Sequence, residues 1–167
     1  MKVSVNWLKE YVDLPTEDAD ELDEILNQLG LEVDGWERIE AGFSGVIVAR
    51  VTTIAAHPNA DKLRVVTLDT GDGDHTVVCG AWNFDEGHLV ALAMPGAVLP
   101  GGFEVGERKI RGVDSPGMIC SEEEMGLGED AAGILVLEEG YAPLGTDFAS
   151  TLPYPDLVFD LDITPNR

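Results

Sequence analysis

Between His57 and Gly128, glycine-rich and polar stations alternate with short apolar runs, and this punctuation restricts the fold more than any other feature of the chain. The stations read HPNADKLRVV (His57 to Val66), VVCGAWN (Val77 to Asn83), AMPGAVLPGG (Ala93 to Gly102) and KIRGVDSPGMICSEEEMGLG (Lys109 to Gly128). The runs between them, Val46 to Ile54, Leu63 to Leu68, Thr76 to Cys79 and Leu89 to Met94, are bounded by Gly, Pro, Asn or Asp. Such runs read as strands. Together they predict a small closed or partly closed barrel whose turns gather the marked residues at one rim.

The flanks read differently. Lys2 to Asn6 predicts a short alternating strand and Trp7 to Tyr11 a helical turn. Asp18 with Glu21 three residues on is a capping arrangement, and Leu22, Ile25, Leu26 and Leu29 then share one helical face up to Gly30. Leu31, Val33 and Trp36 suggest a strand. This first stretch has too narrow an apolar face to stand alone. At the other end a proline-rich linker (Pro143, Pro153, Pro155) leads into a strand, Leu157 to Thr164. It sets Leu157, Phe159, Leu161 and Ile163 on one side, and it is expected to pair with residues 2–6 or 31–39. In the barrel, Asp69 to Gly73 and Gly101-Gly102 predict hairpin turns. Ser121 with Glu124 predicts a second capping box that opens a short helix running into Met125 and ending near Gly126 to Gly128.

Acidic residues outnumber basic ones by 32 to 10, a net charge of −22. In bulk this opposes approach to nucleic acid. The distribution softens the conflict, because residues 43–139 hold six of the ten basic residues, whereas residues 1–42 hold twelve acidic against three basic. Any phosphate-binding face is then a local island, and the remaining acidity suits a solvated surface in high salt. The apolar runs are far short of the roughly 18–20 residues that span a membrane. MKVSVNWLKE lacks the apolar stretch and cleavage site of a secretory signal, so a cytoplasmic location is expected. Cys79 and Cys120 form no C-x-x-C pair. A zinc site would need His57 or another remote ligand, and the plainer reading is two small, half-buried thiols at strand ends.

At these stations the sequence resembles a known family. HPNADKL, CGAWN, PGA-x-LPGG and KIRGV-x-S-x-GMICSEEE-x-GLG look like the tRNA-binding oligonucleotide-barrel (OB) module attached to several aminoacyl-tRNA synthetases. CSEEE-x-GLG followed by Gly133 to Leu137 is similar to the module inside the bacterial phenylalanyl-tRNA synthetase β subunit. VSVNWLKEYVDL (Val3 to Leu14), LGLEVDG (Leu29 to Gly35) and LDITPNR (Leu161 to Arg167) resemble the same subunit. The resemblance implies an α+β, mainly β chain in which a five-stranded OB-type barrel, residues 41–151, is inserted into a small α+β domain made of residues 1–40 plus 152–167. It implies the amino-terminal part of a longer β subunit. In that family the subunit supplies tRNA contacts, an editing site further along and assembly surfaces. The α subunit joins phenylalanine to tRNA with ATP and Mg²⁺ within an α2β2 heterotetramer.

Candidate RNA contacts follow from chemistry and resemblance together: His57, Asn59, Lys62, Arg64, Asn83, Lys109, Arg111 and Ser115. A histidine at a strand end can stack on a base or meet a phosphate, and equally His57 and Asn59 can simply shape the turn before Asp61. Lys62, Arg64, Lys109 and Arg111 neutralise phosphates if their strands share a face, but isolated cations are commonly solvated surface. Asn83, with the Gly80-Ala81 backbone, either reads a base edge or forms a turn. Trp82 and Phe84 are stacking platforms or core plugs. Glu122 to Glu124 fit the first turn of a helix, where negative charge is favoured, better than a metal or catalytic site. No G-x-S-x-G turn, activated histidine or G-x-x-x-x-G-K-[ST] loop is present. No catalytic residue, metal site or cofactor is therefore assigned to these 167 residues, and neither membrane nor DNA is an expected partner. The rivals are a structural docking module of the synthetase and a free-standing tRNA-binding or chaperone barrel. The first draws on GFEVGE (Gly102 to Glu107), which stands where a lysine-rich strand is usual.

Overall fold

The structure, a computed structural model, describes residues 1–163; Thr164, at the end of the expected last strand, and residues 165–167 lie outside the described residues. The chain is mostly strand with few helices. In order, the strands are β1 (Lys2–Ser4), β2 (Glu32–Ile39), β3 (Ser44–Ala56), β4 (Arg64–Asp69), β5 (Asp74–Cys79), β6 (Leu89–Leu99), β7 (Phe103–Glu104), β8 (Glu107–Ile110), β9 (Val113–Pro116), β10 (Met118–Ile119), β11 (Val136–Leu137) and β12 (Asp156–Asp162). The helices are α1 (Val5–Leu8) and α2 (Ala19–Gln28). Two compact units result, one of Met1–Ala41 with the chain from Pro153 onward, the other of Gly42–Leu152.

In the smaller unit β12 is the central strand of a sheet ordered β1-β12-β2. It pairs antiparallel with β1, Val3 opposite Phe159, and with β2, Trp36 opposite Phe159, with a bulge between Asp160 and Leu161. The alternation puts Leu157, Phe159 and Leu161 into a buried cluster with Val5 and Leu22, against which Leu26 packs. Ile163, expected on the same side, lies past the end of β12 and is exposed. α2 starts where its sequence says: Asp18 Oδ1 accepts from the N–H groups of Asp20 and Glu21, each at 3.1 Å. The Asp18 N–H donates to Thr16 Oγ1 at 3.1 Å, so Thr16 takes the place of the glutamate arm of a capping box. The helix closes by Gly30 N–H to Asn27 O and Leu31 N–H to Leu26 O, the paired bonds of a Schellman stop. The helical turn expected at Trp7 to Tyr11 begins earlier, at Val5, because Ser4 Oγ accepts from the Trp7 N–H at 3.1 Å and caps it.

In the larger unit the hydrogen-bonded path is β10-β6-β3-β4-β5, with β7 and β11 also pairing β6 and with β8-β9 a separate hairpin. The ladder does not return on itself. Instead, side chains from β9 reach the edge strand β5: Ser115 Oγ accepts from the Val78 N–H at 3.0 Å, and the His75 imidazole bonds the Pro116 carbonyl. Inward positions of successive strands meet in one core of Ala49, Val51, Val66, Leu68, Val77, Phe84, Val90, Leu92 and Ile119. The segment after Pro143 lies along β3, with Val48 and residues 145–146 exchanging backbone bonds and Phe148 stacked on Phe43 at 6.0 Å. Gly117 stands where β10 meets β6, and a Cβ there would fall 2.5 Å from the Ala93 carbonyl oxygen.

The helix expected after Ser121 is a single turn. The capping box is complete, with Ser121 N–H to Glu124 Oε2 at 2.7 Å and Glu124 N–H to Ser121 Oγ at 3.1 Å. The stop follows at once, Gly126 N–H bonding Glu123 O and Leu127 N–H bonding Glu122 O. Start and stop signals only a few residues apart leave no room for a second turn.

Candidate nucleic-acid interface

The β8-β9 hairpin carries the exposed cations of the larger unit's second half. Ile110 pairs with Val113, so Arg111 and Gly112 form a two-residue loop, and their φ angles of 48° and 91° fit the mirror-image turn that matches strand twist. Strand alternation then sorts the side chains. Arg108 and Ile110, opposite Ser115 and Val113, face one way; Lys109, opposite Asp114, faces the other and pairs with it at 3.5 Å.

The first face borders a cavity of about 430 Å³. Its walls include Val78 to Ala81 at the end of β5, Phe103, Arg108, Met118, the capping turn at Ser121 and Glu124, and the strap Ala131 to Ile134. Many of these residues are glycine or alanine, so the backbone itself forms much of the surface. Arg108 sits over the Phe103 ring at 5.2 Å. Sequence reasoning had no means to assign Arg108 and Phe103, although alternation from Ser115 across the hairpin places Arg108 once the turn register is known.

The eight candidates are held in several ways. His57 is buried: its Nδ1 accepts from the Asn59 N–H at 3.0 Å, which requires that Nε2 carry the proton it shares with Ile110 O, also at 3.0 Å. Asn59 Nδ2 donates to Arg111 O at 2.9 Å. This pair thus anchors the tip of the β8-β9 hairpin to the β3-β4 connection. Asn83 grips Ile134 at both backbone atoms, donating to its oxygen at 2.8 Å and accepting from its N–H at 3.0 Å, so it holds the strap. Ser115 is buried in the β5-β9 bridge. Lys62 and Arg111 are exposed, and Lys109 is exposed beside Asp114.

Arg64 is buried and in phase with Val66 and Leu68 on β4. Its guanidinium donates to Ala81 O at 2.7 Å and to Phe84 O at 3.3 Å and lies between two rings, 4.3 Å from Phe84 and 4.8 Å from Trp82. The phase of the alternation was the signal for this burial. Phe84 is a core side chain, and Trp82 is 63% exposed.

The two thiols are buried and free. Burial raises the pKa of Cys79, opposed by the charge of Arg64; burial and then the nearby Glu124 carboxylate push Cys120 up to about 12. Both are protonated near neutrality and are poor nucleophiles. Among the described residues no group of three or more His, Cys, Asp or Glu is placed to hold a metal, and no helix is long and apolar enough to cross a membrane.

A phenylalanine–tRNA ligase beta subunit of Syntrophus aciditrophicus is 48% identical over 167 residues, covering 100% of this chain and 20% of that protein. One from Anaeromyxobacter dehalogenans is 45% identical over 168 residues, covering 100% of this chain and 21% of that protein. The chain thus spans about one fifth of the length of the curated relatives it matches. Among solved structures, a MetRS related protein from Pyrococcus horikoshii aligns with a TM-score of 0.47 at 18% identity, covering 80% of this chain and 98% of that one. The profile of the putative tRNA binding domain family matches residues 46–147, within the unit Gly42–Leu152. With more than half of its residues in that match, the chain belongs to the putative tRNA binding domain family.

Proposed function

We propose that this chain is the tRNA-binding and assembly part of a phenylalanine–tRNA ligase β subunit, and that it performs no chemical step itself. The observation that carries the reading is the family match over residues 46–147, from within β3 to past β11, joined to similarity along all 167 residues with β subunits of that ligase. The finer architecture proposed is an OB-type barrel of five principal strands whose seam is bridged by side chains. On this reading the barrel and the β8-β9 hairpin meet tRNA in the cytoplasm, while a separate α subunit, in an α2β2 assembly, uses ATP and Mg²⁺ to attach phenylalanine.

Phosphate contacts fall to Lys62, Arg108, Lys109 and Arg111, the exposed cations near the hairpin and the β3-β4 connection. His57, Asn59 and Ser115 hold the backbone of the hairpin that presents three of them, and Asn83 holds the strap beside the cavity. The acidic remainder makes binding weak and steeply salt-dependent, since each phosphate neutralised steepens the logarithmic salt slope by about 0.7–0.9. Titration of the chain with tRNA at low and moderate salt tests this. The expected result is weak binding that flattens in salt slope when Lys109 and Arg111 are replaced by glutamine; absence of binding at low salt overturns it. One observation favours the rival docking role: Lys109 is already paired and Arg64 is already buried, which leaves few free charges. Docking without RNA affinity is therefore the alternative outcome of the same titration. Phenylalanine-dependent ATP–pyrophosphate exchange or hydrolysis of mischarged tRNA by the purified chain would overturn the noncatalytic reading.

A further inference from the structure

The Phe84–Arg64–Trp82 stack contains a conflict that packing alone does not explain. Arg64 is 7% exposed, yet its hydrogen bonds go to carbonyl oxygens, its Nε has no hydrogen-bond partner, and among the described residues it forms no ion pair with a carboxylate. A buried cation without a carboxylate partner is expensive, and this one persists in a chain with 32 acidic residues available. What compensates it is aromatic: its guanidinium carbon lies over both a core phenylalanine and a tryptophan, each within cation–π distance.

Trp82 is the unusual member. It is the most exposed large aromatic of the larger unit, at 63%, although an indole of its size gains most by burial. Two contacts fix it in that exposed position: the Arg64 guanidinium lies over the ring, and Nε1–H donates to Lys62 O at 3.4 Å. The result is a pre-oriented aromatic surface, with a cation behind it and the exposed Lys62 beside it.

We infer that Trp82 is a stacking platform for one unpaired RNA base, with the Arg64 guanidinium and the Lys62 carbonyl fixing the ring and the exposed Lys62 side chain left free to meet the adjoining phosphate. The inference rests on the tRNA-binding reading and adds the ligand's form: a nucleotide free of its own stack, as in a loop or at a single-stranded end. An exposed ring cannot slide between paired bases without unstacking them, whereas an unpaired base offers a π-face to any aromatic. A flat aromatic supported from behind loses little freedom on binding, and because every base has a π-face the contact favours no particular base strongly.

The experiment uses the whole chain with Trp7→Phe and Trp36→Phe, so that Trp82 alone reports fluorescence, together with a Trp82→Ala chain and a Trp82→Tyr chain. Probes are tRNA, a short single-stranded oligoribonucleotide, and the same oligonucleotide in a duplex. The single strand and tRNA are expected to quench Trp82, and the duplex to leave it unchanged. Trp82→Ala is expected to weaken tRNA binding by about 5- to 150-fold, the range of one base–aromatic stack, and Trp82→Tyr to restore most of it. Trp82→Ala also removes one of the two rings over Arg64, so far-UV circular dichroism and urea unfolding check that the variant stays folded, and Trp82→Tyr, which keeps a ring there, separates lost stacking from lost support of the cation. Undiminished tRNA affinity in Trp82→Ala overturns the platform while leaving the tRNA reading in place. Equal quenching by duplex overturns the unpaired-base requirement. No tRNA binding by the unmodified chain removes both.

Discussion

In Gly42–Leu152 the buried cluster is built from strands that follow one another within a single stretch of chain, whereas in the smaller unit three of the five buried residues, Leu157, Phe159 and Leu161, arrive on β12. Lys2 faces Asp160 across that ladder, so the smaller unit's sheet joins the two ends of the described chain. The larger unit carries its own core; the smaller borrows its central strand. A sheet without its middle strand leaves β1 and β2 with no partners, and two short strands with a narrow helix are not independently stable.

Removing the chain after Leu152 should therefore have the largest effect. Backbone amides of residues 1–40 should exchange at nearly unfolded rates while those of β3 to β6 keep their protection, as hydrogen exchange will read out. Uniform protection in both forms would erase the contrast between the units. Phe159→Ala should come next. Truncating a fully buried phenylalanine costs about 3–5 kcal/mol, and the loss should appear in the smaller unit alone, with chemical shifts of Val66, Leu68 and Leu92 unmoved.

The third test belongs to the larger unit. Cys120 keeps its proton up to about 12 in the fold against 9.0 for an ordinary thiol. Its folded pKa is raised, so its contribution is fully present below about 9 and is lost as pH climbs from 9 towards 12, where the unfolded chain ionises first. Denaturant midpoints at pH 8 and pH 11 should converge for Cys120→Ala relative to the unmodified chain; an identical pH dependence would exclude this thiol as a source. The smallest effects compare the two caps. Ser121→Ala removes the hydroxyl arm of a complete box and Asp18→Ala removes two accepted bonds. Each should cost about 1 kcal/mol in its own unit by thermal or urea unfolding.

Local signals explain which parts of this fold were readable. Period-two alternation identifies β4 and β12, and Asp18 with Gly30 brackets α2. β12 as the strand between β1 and β2 rests on a ladder that joins opposite ends of the described residues, which no local window contains. The turn after Ser121 resembled a helix because its start signal is complete; the stop at Gly126 had to be weighed against it. At the interface, charge suggested that Arg64 was a surface cation, while its phase with Val66 and Leu68 placed it inward, and the phase decided its location. Arg108 became visible only through the register of the β8-β9 turn, since a shift of one residue would have turned it to the opposite face.

The backbone bond from Leu161 to Met1, with the Met1 ammonium on Asp160, also orders events in time. A ribosome adds about 5–20 residues per second, so the first strand waits on the order of ten seconds before β12 has been made. Throughout that interval Val3, Val5 and Leu22 lack the β12 side chains they pack against, while the intervening unit Gly42–Leu152 can complete its own core. The earliest-made strand of the smaller unit is consequently among the last to find its partner, although it precedes every strand of the larger unit in the chain.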